Sequence, residues 1–212
     1  MLGVLESATQ VVKLFAPLWW SFGTAGEGLL FFFLETRMLY SEDYQKQLQQ
    51  VHSKRTWGGG VETKVKWIIP KSKVYCDERI SSVLDYGCGA GHFKRECNRL
   101  FPKIEVSEYD PGILGKESPP EPKDFVVCVD VLEHIEPNSL DEVLQHIRDL
   151  NTYGALLQPC LVKADTLLPD GRNAHLIVKS AYWWLSQFEK YFERRHIHYS
   201  TQYHMAVFVE NK

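Results

Sequence analysis

Three glycines and two acids raise the first chemical question. The run Asp85-Tyr-Gly87-Cys-Gly89-Ala-Gly91 follows an apolar stretch and precedes a segment with helical spacing. Glycines at such a turn let the chain reverse sharply. They also let a ligand lie against bare backbone, with no side chain between. A dinucleotide loop spaces its glycines as GxGxxG. Here the spacing is GxGxG, with Asp85 just before the first glycine. That pattern does not call for a pyrophosphate. The acid suits a ligand with a positive end, such as the ammonium group of an amino acid. Asp110 closes the next strand-like segment, where a carboxylate accepts both hydroxyls of a ribose. The competing reading of Asp110 is a turn or helix-cap acid.

Two histidines are candidates for proton transfer, because imidazole titrates near neutrality. His134 follows an apolar run, and His175 lies in the polar stretch DGRNAHLI. Each has a plainer reading: His134 as a backbone-bonded residue shaping a pocket, His175 as a staple of its loop. Asp170, Arg172 and Asn173 in that stretch either bind substrate or fix the loop.

The elements around these residues are strands alternating with helices. Residues 80–87, 104–110, 124–132 and 154–162 read as strands. The third is apolar throughout, as a strand buried on both faces is. Helical spacing covers 41–52, 61–70, 92–101, 139–150 and 181–192. Ser41 is a candidate N-cap. Ser139 with Glu142 spells a capping box, and Pro70 and Pro102 read as helix stops. Residues 194–200 and 203–210 form a terminal hairpin. The fold class is therefore α/β, a mostly parallel sheet with right-handed crossovers and a C-terminal antiparallel hairpin.

The chain has 212 residues, 44% of them hydrophobic and 24% charged, enough for one such domain with a substantial core. Its net charge of −3 does not favour a nucleic-acid partner. The five cysteines form no CxxC pair, which argues against a zinc framework or disulfide scaffold and suits a reducing cytoplasm. Residues 14–34 are mostly apolar with Glu27 as the only charge, but Pro17 and three glycines interrupt them. They read as helices packed on the domain or on a second copy, or as a peripheral membrane contact, rather than as a span. Residues 1–60 are an N-terminal extension with a loop at WGGG, and 61–212 are the ligand-binding domain.

The motifs VLDYGCGAG, EYDPGI and DFVVCVDVLEHIEP stand in this order over residues 83 to 137. They resemble those of the class I S-adenosylmethionine-dependent methyltransferases, closest to small bacterial and phage members whose third motif reads DVLEHIEP. The resemblance extends to about residue 208. It implies a Rossmann-like fold, S-adenosylmethionine as cofactor and methyl transfer as the activity. By the resemblance, Asp85 contacts the amino acid end of the cofactor. Gly87, Gly89 and Gly91 make room for it, and Asp110 holds its ribose. Asp130 and Val131 line the pocket, and His134 sits at its mouth. Members of this family usually carry a further helix and strand before the fourth strand. Only residues 111–123 stand there, so one strand is expected to be missing.

The acceptor is left open: a small molecule or terminal group leads, with nucleic acid or protein as the alternative. Pro159-Cys160 falls one strand too late for a cytosine-C5 nucleophile and reads as part of a strand. A non-catalytic binding subunit competes, though the glycines and both acids are intact. A nicotinamide oxidoreductase is disfavoured by the glycine spacing.

Overall fold

The computed structural model describes residues 39–54 and 60–212. The apolar segment 14–34 and most of the WGGG loop fall outside them. Among the described residues no helix is long and apolar enough to cross a membrane. Thr36–Lys212 form one compact unit, which therefore includes the helix just before residue 60.

Four parallel strands come first: β1 (Ser82–Tyr86), β2 (Glu105–Tyr109), β3 (Lys123–Val129) and β4 (Asn151–Gln158). An antiparallel pair, β5 (Phe192–Ser200) and β6 (Met205–Asn211), completes the sheet. The spatial order is β2-β1-β3-β4-β6-β5. Neighbours Val83 and Leu84 of β1 are both fully buried and face opposite sides of the sheet. In β3, Phe125 and Val127 face one side while Val126 and Cys128 face the other. Strands apolar on both faces need a layer of helices on each. α2 (Val65–Tyr75) and α3 (His92–Leu100) cover one face through Ile68, Ile69, Phe93 and Cys97. α4 (Leu140–Asp149) and α5 (Ala181–Phe188) cover the other through Leu144, Ile147, Trp184 and Phe188.

The missing-strand expectation holds: residues 110–122 contain turns but no helix or strand, which leaves β2 as an edge. Four local expectations change. Pro70 does not end its helix, which runs on to Tyr75. Its ring removes one amide and crowds the carbonyl of Lys66, but both residues are exposed, where a freed carbonyl costs least. Meanwhile Val65, Ile68, Ile69 and Ser72 stay buried and hold the helix. The Ser139–Glu142 capping box does not form. A 3-10 turn at Pro137–Ser139 leads straight into α4, so Ser139 (φ −104°, ψ 1°) lacks the extended backbone that a cap needs. β4 begins at Asn151 and ends at Gln158, so Cys160 lies beyond it. α5 stops at Phe188, because Phe192 already starts β5.

α1 (Glu42–Lys54) begins as the sequence indicates, with Ser41 Oγ accepting from the Tyr44 amide at 3.2 Å. Tyr44, Leu48 and Val51, spaced for one helical face, pack against Leu168, Ala174 and Leu176 of the segment after β4.

Candidate active site

The chain leaves β1 toward β2 on one side and returns to β3 on the other. Such a reversal opens a crevice at the C-terminal ends of the strands, where open α/β sheets bind ligands. A cavity of about 290 Å³ lies there, lined by the glycine turn, Asp85, Asp110, Asp130 and Val131.

The glycine turn is pinned to β2, with the amides of Gly87 and Cys88 donating to the Tyr109 carbonyl at 2.8 and 3.1 Å. Gly87 has φ +77°, and a Cβ there would sit 2.4 Å from a methyl carbon of Val131. Gly91 has φ +73°, and a Cβ there would meet the Glu108 carboxylate at 2.3 Å. Neither position admits another residue without displacing its neighbour. Val131 owes its place to Asp130, the one non-glycine residue with positive φ among those described (φ 56°). This left-handed step turns the chain out of β3 and into a 3-10 turn at Leu132–His134.

The acids are arranged around the turn. Asp110 accepts from the amides of Gly89 and Gly112, one on each oxygen, both at 2.9 Å. Asp85 pairs in register with Glu108 across β1 and β2. Asp85 is buried, and its Oδ2 has no hydrogen-bond partner. Burial first, then the adjacent Glu108 charge, pushes its pKa up to about 8, while Lys116 pulls the other way. Lys116 is committed elsewhere, 3.0 Å from Glu108 and 3.2 Å from the Gly89 carbonyl. Asp85 is thus an acid in want of a cation.

Asp130 lines the cavity, but its carboxylate also faces outward. It takes Lys64 Nζ and Gln158 Nε2, each at 3.0 Å. The two candidate histidines come together, with ring centroids 4.7 Å apart. Both line the cavity. His134 Nδ1 lies 2.8 Å from the Ala174 carbonyl, and His175 Nδ1 lies 2.5 Å from that of Val162. A carbonyl only accepts, so each Nδ1 carries the proton and donates it. Burial, then His175, lowers the His134 pKa to about 4, so its ring stays neutral. Asn173 fixes its loop through the backbone of Ala164 and His175, and Arg172 folds back on Asp170.

Several contributors escape a reading by spacing alone. Glu133, fully buried beside His134, has no side-chain donor on either carboxylate oxygen, only the nearby backbone amides of Glu133 and Cys160. Burial, then Asp130, raises its pKa to about 8. α1 crosses the mouth. Ser41 binds Glu136, the Tyr44 hydroxyl donates to the His134 carbonyl, and Gln45 donates to the Pro111 carbonyl at 3.1 Å. His52 and Leu48 lie against Gly112. The face formed by Tyr44, Leu48 and Val51 signals a packed helix in the sequence, but not the cavity that it packs over.

This crevice defines a class: a doubly wound α/β protein with a cavity at its switch point, the place where such folds bind small ligands. Residues 39–211 match the family described as methyltransferase domain, and the chain belongs to that family. Its fold is similar to the N-methyltransferase NodS from Bradyrhizobium japonicum WM9, solved with S-adenosylhomocysteine. The identity is 12%, covering 80% of this chain and 99% of NodS, with TM-score 0.51. It is also similar to the Burkholderia thailandensis 1,6-didemethyltoxoflavin-N1-methyltransferase, solved with 1,6-didemethyltoxoflavin and S-adenosylhomocysteine. There the identity is 13%, coverage 80% and 89%, and TM-score 0.52. A third likeness is to TnmH (14% identity, 78% of this chain, TM-score 0.53), of which the chain spans only 57%. No curated protein matches the sequence.

Proposed function

We propose that the protein is an S-adenosylmethionine-dependent methyltransferase acting on a small molecule or a terminal group. The observation that carries the cofactor is Asp85: a buried carboxylate with an orphan oxygen, at the lip of a turn where Gly87 leaves bare backbone. A ligand bearing an ammonium group supplies the missing partner. Asp110, already oriented by the Gly89 and Gly112 amides, keeps lone pairs for a pair of ribose hydroxyls. Gly87 and Val131 together shape the wall between them.

When bound, the cofactor supplies a sulfonium methyl for in-line displacement by a nucleophile on the acceptor. The chain's own part is mostly placement, which contributes a large share of such rate enhancements. His134 and His175 form the acceptor side of the cavity, each held in one orientation by a backbone carbonyl. With its pKa near 4, His134 does not store a proton at neutral pH, and its role is to shape and orient. α1 closes the mouth and limits water. A cavity closed by a helix favours a small acceptor over a duplex or a folded protein surface.

The test is a transfer assay with methyl-labelled cofactor, offering small hydroxyl and amine acceptors in one arm and RNA or denatured protein in the other. Label recovered in the small-molecule fraction supports the reading. Label carried only by macromolecules contradicts it.

A further inference from the structure

At the histidine wall three metal-ligating side chains converge, two of which, Glu133 and Cys160, have no part in the methyl-transfer reading. Glu133 is fully buried and sits in the 3-10 turn after β3. Cys160 lies just past β4, and His175 on the following loop. One ligand atom from each lies within 4.8 Å of the others. His175 Nε2 stands 3.9 Å from Glu133 Oε1. Donation from Nδ1 to the Val162 carbonyl leaves the lone pair on Nε2, the side that faces Glu133. Both Glu133 oxygens are buried and no side chain donates to either, the nearest donors being the backbone amides of Glu133 and Cys160. A carboxylate accepts about four hydrogen bonds, so two backbone amides leave lone pairs on Glu133 for a further partner. In a tetrahedral zinc site with ligand distances of about 2.0–2.3 Å, ligand atoms lie about 3.3–3.8 Å apart. The trio needs only small closure to reach that spacing.

We propose that Glu133, Cys160 and His175 form a binding site for a zinc-class divalent ion. The mixed oxygen, sulfur and nitrogen donor set suits zinc rather than magnesium or calcium, which prefer oxygen alone. Three protein ligands leave a fourth position for water or an acceptor oxygen, and His175 is shared with the cavity wall. A second trio, Asp85, Cys88 and Glu108, is also close-set. There Lys116 already supplies a cation 3.0 Å from Glu108, so that trio is the control. This inference is independent of the cofactor assignment.

The experiment strips the full chain with chelator and titrates it with cobalt(II), then with zinc. The expected result is one equivalent bound, with thiolate-to-cobalt charge-transfer absorption that zinc displaces. Cys160→Ser abolishes that absorption and Cys88→Ser retains it. Glu133→Gln and His175→Gln weaken binding at least about tenfold. Absence of the absorption in wild type overturns the proposal, and needs no variant to fold. So does absorption that survives Cys160→Ser, or unchanged affinity in Glu133→Gln. Titration of the same metal-free protein with S-adenosylhomocysteine reports the cofactor site separately.

Discussion

Gly87 and Val131 form the tightest residue-scale constraint in the cavity. Gly87→Ala places a methyl 2.4 Å from a Val131 side-chain carbon at φ +77°. We expect a loss of about 1–3 kcal/mol in stability, and cofactor affinity weaker by about tenfold or more. Adding Val131→Ala restores the room but not the backbone freedom, so rescue is partial. Denaturant unfolding and ligand titration of the single and double variants check this, and full rescue would assign the whole effect to packing. Asp85 gives a pH signature. Its pKa is about 8 in the fold against an ordinary value of 3.8. Between those values the folded chain holds a proton that the unfolded chain has released, so stability falls as pH rises, and levels off above about 8. Wild type therefore loses stability relative to Asp85→Asn across that range, by up to about 1.4 kcal/mol per pH unit. Parallel curves for the two proteins would contradict the assigned burial. The glycines, Asp85 and Asp110 were legible because turn, acid and strand are contiguous in sequence. Glu108 and Glu133 were not: one acts through its register with Asp85, the other through a turn set by Asp130.

At the scale of elements, α1 changes meaning. Its helical pattern and Ser41 cap were legible, but its place over the cavity was not. That depends on contacts with Pro111, His134 and Glu136, which are 66 to 95 residues away. Tyr44→Phe removes the hydroxyl that holds α1 to the His134 carbonyl. One such bond contributes about 0.5–1.5 kcal/mol. Bound S-adenosylhomocysteine is then expected to leave several-fold faster in stopped-flow displacement, with the helix content unchanged. An unchanged release rate would show that α1 does not act as a cover. The strands followed from their apolar runs, whereas their ends did not. Ser139, Pro70 and Phe192 show why: each local signal was outweighed by where the chain enters or leaves a packed element.

At the scale of the whole molecule, the strand order β2-β1-β3-β4-β6-β5 creates the crevice and leaves β2 at an edge. Alternation of strands and helices indicated the parallel sheet and the terminal hairpin, and the short 111–123 segment indicated the missing strand. The convergence of His134, His175 and Glu133 needs the assembled fold. His175 reaches the other two on a loop after β4, some forty residues downstream. The measurement that bears most directly on the account is calorimetric titration with S-adenosylmethionine and S-adenosylhomocysteine. It is run on wild type and on Asp85→Asn and Asp110→Asn. The account predicts saturable binding at one site per chain, weakened at least about tenfold by either substitution, each of which removes a charge-assisted contact. Folded wild-type protein that binds neither ligand, or variants that bind as wild type does, would contradict it.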